Sequence, residues 1–386
     1  MKLIRGGLVK TIGKGDLEGG EILVDGGKIV AVGKGLTVPE GTEVFDASGC
    51  LVTPGLIDAH THIGIHESAV GWEGDDHSED VKPITPDLRG IDGFNPRDPF
   101  LKTVLAAGIT TTAIGPGSGN VVGGTFCALK LYGDCVEDMV IRDPVAMKCA
   151  LGENPKRIHG RRGRSPVTRM SVAALLRDLL MKAKRYLAEV EEAEKDSSKK
   201  RPYDSELEAM LPVMRREIPL KIHAHRTDDI LTALRIVREF QLKATMEHVT
   251  EGHLIVDRLL AANFPVLVGP SFSGKYKFEL ANKSFITPGI LSKAGLEVSI
   301  ISDSPVTSVE YLPLYAGLAM KHGMPEEHAW RAITLNPARA LGIDDRVGSL
   351  EPGKDADIVV FDSNPLRCLQ ARPKYVFVNG ECVVSQ

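Results

Sequence analysis

The chain has 386 residues, 43% hydrophobic and 25% charged, with a formal net charge of −4. That balance suits one large or two moderate globular domains and argues against nucleic acid or an anionic membrane surface as a partner. No apolar run reaches a membrane span or a signal peptide, and the six cysteines form no CxxC, so they read as buried thiols of a cytosolic protein.

Residues 1–50 read as short strands broken by glycine: Lys2–Ile4, Glu21–Val24, Lys28–Val32 and Glu43–Asp46, with Gly26-Gly27 as a hairpin turn. Such a sheet is marginal alone. The C-terminus offers partners in Asp357–Phe361, Lys374–Val378 and Glu381–Val384, where Asn379-Gly380 signals a type I′ turn. The two ends, 1–52 and 346–386, are expected to form one small β domain enclosing the middle, 53–345.

The stretch Leu51–His62 opens that middle. Pro54-Gly55 punctuates it. In a strand beyond this point, alternation puts Asp58, His60 and His62 on one face. Two imidazoles two residues apart on one face can reach one divalent metal.

Beyond it, strands alternate with helical runs, a pattern of parallel sheet and crossover helices. Leu56–His62, Thr110–Ile114, Thr125–Leu131, Val145–Ala150, Leu220–His225, Ala244–His248, Pro265–Val268 and Val298–Ser302 give eight strands, which suggests a TIM barrel of the α/β class. Two insertions stand out. Residues 66–99, rich in Gly, Asp and Pro, lack periodicity and read as an ordered loop or lid, with His66 and His77 as surface positions. Residues 169–216 carry a helical pattern with Leu175, Leu176, Leu179, Leu180 and Leu187 on one face and a solvated charge run, Glu191–Lys200. Cys127 and Cys149 sit in strand-like runs and read as packing residues.

The strand ends collect ionisable groups: His60 and His62 on strand 1, Lys148 and Glu153 on and past strand 4, His223 and His225 on strand 5, His248 on strand 6 and Asp303 after strand 8. Charge among such apolar neighbours is costly unless met by a metal or a tight polar network. Gly115–Gly124 follows strand 2, and its glycines, Gly123 and Gly124 among them, permit close backbone approach to a substrate. It lacks the GxxxxGK[ST] pattern of a nucleotide-binding loop. Arg226, Ser273, Lys275 and Tyr276 are candidates for holding a carboxylate or carbonyl.

VTPGLIDAHTH (52–62), GENPKR (152–157) and GSLEPGKDADIVVFD (348–362), followed by VFVNGE, resemble the amidohydrolase superfamily, and within it the imidazolonepropionase-like group. The resemblance spans nearly the whole chain. It implies a (β/α)8 barrel with a composite β-sandwich domain from both termini. It also implies one or two divalent metal ions, zinc first, with iron, manganese or nickel as alternatives. By motif, His60, His62, His223 and His248 match metal ligands, and Asp303 matches the aspartate that ligates metal and moves the proton. A carboxylated Lys148 is the preferred bridge between two metals; Glu153 is the alternative. His225 either polarises the scissile carbonyl or orients His223. The implied reaction is hydrolysis of a C–N amide-like bond, cyclic or linear, in a small molecule through a metal-activated hydroxide. A deaminase, a mononuclear imidazolone hydrolase and a metal-free scaffold are the rival readings, and family analogy admits a homo-oligomer.

Overall fold

The computed structural model describes residues 1–386. The chain enters through five strands: β1 (Lys2–Lys10), β2 (Asp16–Asp25), β3 (Lys28–Gly33), β4 (Glu43–Asp46) and β5 (Leu51–Pro54). Eight barrel strands follow: β6 (Leu56–Thr61), β7 (Ile109–Ile114), β8 (Val122–Lys130), β9 (Val140–Ala150), β10 (Leu220–Ala224), β11 (Ala244–His248), β12 (Val266–Val268) and β13 (Val298–Ile300). The chain closes with β14 (Ile358–Phe361), β15 (Pro373–Val378) and β16 (Glu381–Ser385). No helix is long and apolar enough to cross a membrane.

The two chain ends share one sheet, in the order β16-β15-β14-β5-β1-β2-β3, with β4 beside the first half of β1. The join is β14 against β5, antiparallel, with Ile358 opposite Pro54 and Phe361 opposite Leu51. β14 is apolar on both faces because it separates two cores. Ile358 and Val360 pack with Ile4, Ile22 and Val52 inside the terminal sheet. Val359 and Phe361 face the large core shared with the barrel. Period-two alternation makes this two-sided burial possible in four residues. A single residue, Gly55, links the two sheets; a side chain there would drive a Cβ within 2.0 Å of the Thr110 hydroxyl.

The barrel strands pair in sequence from β6 to β13, all eight in one sheet. One expectation fails at the third strand. β8 runs antiparallel to both β7 and β9, so the sheet is mixed, not parallel throughout. The reason is connection length. Parallel neighbours need a crossover of about a dozen residues or more. The β7–β8 link, residues 115–121, contains no helix, and the β8–β9 link holds only the short helix Val136–Met139. The remaining barrel pairs are parallel.

No ladder joins β13 back to β6. A side chain does it instead: Ser302 N–H donates to Asp58 Oδ2 at 2.9 Å, and His60 N–H donates to Oδ1 at 3.0 Å. The His62 N–H also donates to the Ser304 carbonyl at 2.8 Å. Asp58 is fully buried, and burial raises its pKa to about 7 against the pull of the Ser302 bonds.

The first insertion is ordered. It forms 3-10 turns at Gly71–Gly74 and Gly90–Gly93 and bridges β8 through Ile84–Val122 and Arg89–Thr125. The buried Asn120 amide ties it down, donating to the carbonyls of Glu79 and Lys82 and to the Thr85 hydroxyl at 2.8–2.9 Å. The second insertion is the helix Arg169–Lys195, capped by Thr168, packed on the helix Ser205–Met214. Leu176, Leu179 and Leu180 are buried on its inner face.

Candidate metal centre

The strand ends converge on the floor of a cavity of about 340 Å³. Two donor groups meet at its base: His60, His62 and Asp303, and His223, His225 and His248. His62, Asp303, His223 and His225 line the cavity, while His60 and His248 are buried without lining it. Within each group one donor atom per residue lies within 4.8 Å of the others. The groups adjoin, with the His60 and His248 rings 5.3 Å apart.

The outer ring nitrogens fix how the imidazoles point. His62 Nδ1 donates to the Gly115 carbonyl at 2.7 Å, and His248 Nδ1 donates to the Gly269 carbonyl at 2.7 Å. His60 Nδ1 donates to Glu247 Oε2 at 2.6 Å, and His225 Nδ1 pairs with the Thr250 hydroxyl at 2.7 Å. A ring whose Nδ1 carries the proton offers its Nε2 lone pair to the site. His62 Nε2 then faces Asp303 Oδ1 at 3.2 Å, and His60 Nε2 faces the same oxygen at 3.4 Å. Nε2 of His225 and of His248, and both nitrogens of His223, are buried without a hydrogen-bond partner. Buried polar atoms are rarely left so. Converging lone pairs on nitrogen and carboxylate oxygen are the donor set a divalent metal takes, so the residues fit the group the sequence implied.

Charge follows the same logic. Burial, then the Lys148 and Lys221 ammonium groups, hold the His60 pKa well below its usual range. Burial, then His248, do the same for His223 and His225. These rings are neutral, as metal ligation requires. At Asp303 burial acts upward, but His248, His62 and Lys148 outweigh it and hold the carboxyl well below the ordinary carboxylate range.

Lys148 is fully buried, with Nζ 3.0 Å from His60 Nε2. Glu153 is not in either donor group. It begins the helix Glu153–Arg161, half-buried, and its backbone N–H donates to Glu279 Oε2 at 3.0 Å. Arg226 is bound to Asp228 at 2.9 Å and stacks over Phe278, and the exposed Lys275 donates to the Ala281 carbonyl at 2.7 Å. Neither lines the cavity, whereas Ser273 and Tyr276 do. Gly124 pairs with Lys148 across β8 and β9, and a Cβ there would lie 2.3 Å from the Leu88 carbonyl. Gly123 borders an adjoining depression beside the first insertion. His77, expected at the surface, is one-third exposed and lines the cavity 5.7 Å from the His62 ring. His66 and His77 share Asp75 as partner.

Three participants escape the motif reading. Glu247 is fully buried between His60 and Lys221, whose Nζ lies 2.9 Å from Oε2. Glu279 Oε1 lies 3.6 and 3.7 Å from Nε2 of His225 and His223 and 2.6 Å from Lys277 Nζ. Period-two alternation assigns Glu247 to the face opposite His248. The rule breaks because His248 has φ +69°, leaving the extended region at the strand end. Asp303 has φ +55°. Such backbone costs roughly 1–3 kcal/mol per residue and concentrates at functional sites. Glu247 was detectable as an ionisable residue inside an apolar strand. Glu279 and Lys277 lie in a loop with no periodic signal.

Residues 51–386 match the Amidohydrolase family, and the chain belongs to it. An amidohydrolase from Thermotoga maritima MSB8 superposes with a TM-score of 0.97 at 38% identity, covering 100% of both chains. Amidohydrolase tasK of Hapsidospora irregularis is 31% identical over 94% of this chain, which spans only 39% of that longer protein. An imidazolonepropionase of Brucella suis biovar 1 (strain 1330) is 25% identical over 92% of this chain and 89% of its own length. Members of this family are hydrolases and are generally metal-dependent, and this chain carries the donor groups for it.

Proposed function

We propose that this chain hydrolyses a C–N amide-like bond in a small molecule; His60, His62, His223, His248 and Asp303 would hold one or two divalent metals, zinc first, and Lys148, once carboxylated, would add an anionic ligand. The observation that carries the reading is the convergence of histidine ring nitrogens and the Asp303 carboxylate at the base of one cavity, with Lys148 Nζ beside His60. Bound metal supplies a nucleophile from water at neutral pH and polarises a carbonyl. Asp303, ionised and aimed at the same point as His60 and His62, takes the proton of the attacking water and returns it to the leaving nitrogen. Glu247 and the carbonyls of Gly115 and Gly269 hold the ring tautomers. His225 stands with His223 and His248, placed either to polarise the carbonyl or to join the ligand set. His66, His77 and Ser78 of the first insertion form part of the cavity wall. The six free cysteines, of which only Cys127 and Cys149 are buried and the other four, against expectation, are partly exposed, fit a reducing compartment such as the cytoplasm.

The test is metal content per chain on protein purified without chelator, followed by product analysis on cyclic amides, N-acyl amino acids and dipeptides. The imidazolonepropionase relative puts a cyclic imidazolone in that set. Near two equivalents, with a new carboxylate and amine as products, supports the reading. Ammonia as the only nitrogen product replaces it with a deaminase. No metal and no metal-restored turnover replaces it with a scaffold.

A further inference from the structure

The GENPKR motif brings more to the cavity than its acidic residue. Its helix, Glu153–Arg161, turns Asn154, Arg157 and Ile158 toward the cavity wall. Asn154 is fixed: its amide donates to Ser118 Oγ at 2.8 Å, and its oxygen accepts from Lys277 Nζ at 3.2 Å. Lys277 is neutralised by the buried Glu279 at 2.6 Å. Arg157 is different. It lines the same cavity as Asp303 and His62, it is exposed, and its guanidinium makes no hydrogen bond or ion pair within the chain. Neighbouring arginines are engaged: Arg162 with Asp80 at 2.9 Å, Arg169 with Asp229 at 2.9 Å, Arg226 with Asp228 at 2.9 Å.

We infer that Arg157 receives a carboxylate of the substrate, so that the hydrolase acts on compounds carrying a free carboxylate beyond the scissile amide, such as N-acyl amino acids or dipeptides; this rests on the hydrolytic reading above. The charge count favours a monoanion. Of the two side-chain cations on the wall away from the metal site, Lys277 is already paired with Glu279, which leaves Arg157 as the one there free to meet an anion. A phosphate dianion calls for more. The planar fork of a guanidinium suits the two oxygens of a carboxylate. Around it the wall is polar, with Ser78, Ser118 and Ser273, so the anion keeps donors on its other sides. The cavity lies at the small end of ligand pockets, which span about 300–1,000 Å³.

The experiment uses metal-loaded, full-length protein. Binding of N-acetylglycine, N-acetylalanine, N-acetylleucine and N-acetylglutamine is measured by calorimetry, each as the free acid and as the primary amide. The same pairs are assayed for turnover. The wild type is expected to bind at least one free acid on the order of 30-fold more tightly than its amide, the scale of a charge-assisted hydrogen-bond pair. In Arg157→Ala that preference collapses toward unity, and Arg157→Lys restores part of it. Thermal melting checks that the variants fold, which the exposure of Arg157 favours. Equal binding of acid and amide, binding of neither, or a preference that survives Arg157→Ala overturns the assignment. Discrimination in binding without hydrolysis leaves Arg157 assigned and counts against the hydrolytic reading alone.

Discussion

Lys148 Nζ lies 3.0 Å from His60 Nε2, in a site where the lysine has no solvent exposure. Burial lowers its pKa to about 8, opposed by Asp303 and Glu247. At pH 7 about a tenth of such a group is the free amine. Only the free amine adds CO2: its nitrogen bonds the carbon and releases one proton to solvent, leaving an anionic carbamate with two acceptor oxygens and one remaining N–H. We expect protein supplied with 13C-bicarbonate to show a protein-bound carbamate resonance that is absent in Lys148→Ala. That variant is expected to lose roughly 100-fold or more in turnover and one metal equivalent. Full metal content and turnover in the alanine variant would remove Lys148 from the bridge.

Asp303 is the proton carrier in the proposed reaction. Asp303→Asn keeps the shape of the side chain and removes the base. Turnover is expected to fall by about 10²–10⁴-fold, the scale of general acid–base catalysis, with the circular dichroism spectrum unchanged. An asparagine variant with wild-type kcat at full metal loading rules the role out.

Glu247 sets the tautomer of His60 and neutralises Lys221. Glu247→Gln retains a hydrogen-bond acceptor but loses the charge. Metal affinity is expected to drop about 10–100-fold, as for other partners of ligating histidines. Competition with a chromophoric chelator measures this. An unchanged affinity would mean that His60 does not need its carboxylate.

Lys130 on β8 joins the barrel to the segment entering β14. Its Nζ lies 2.7 Å from Asp355 and 2.9 Å from Asp357, all three buried. Lys130→Met leaves Asp357 buried with no cation within reach. Stripping one partner from such a group costs about 3–5 kcal/mol. Urea unfolding of the variant should show an unfolding free energy lower by that amount. A shift under about 1 kcal/mol would mark the network as dispensable, since surface pairs are worth that little.

Asp355 predicts an acid limb. Burial acts to raise its pKa, but Lys130, Lys28 and Arg346 outweigh it and hold the carboxyl at about 2, below its ordinary 3.8. A group depressed on folding stabilises above its unfolded pKa and loses that contribution as pH falls through the folded one. The window is therefore about pH 4 down to 2, and the size about 2 kcal/mol. Asp355→Asn should flatten this part of the stability–pH curve, measured by urea unfolding at each pH. An unchanged slope between pH 4 and 2 in that variant refutes the assignment.

Much of the fold was legible in the chain itself. The eight barrel strands came from apolar runs of strand length, and the sheet joining both ends came from strands too few to be stable at either end alone. The donor residues stood out because ionisable side chains at the ends of apolar strands demand compensation: His60, His62, His223, His248 and Asp303 all met that condition. Local patterning carries such information because alternation and burial act over a few residues.

What tertiary structure alone decided is longer in range. The reversal of β8 followed from connection lengths that the crossover pattern passed over. Glu247 is the register partner of His223 and shares its face, so it reaches His60, and His248 joins them only because its backbone leaves the extended region. Glu279 and Lys277 entered from a loop, where no period places a side chain. Arg157, and not Arg226 or Lys275, faces the cavity without a partner, because the latter two are satisfied by Asp228 and the Ala281 carbonyl. Residue type and spacing determined which groups this chain owns. Which of them are left unpaired, and therefore free for chemistry, depended on contacts between segments far apart in sequence, and only packing sets those.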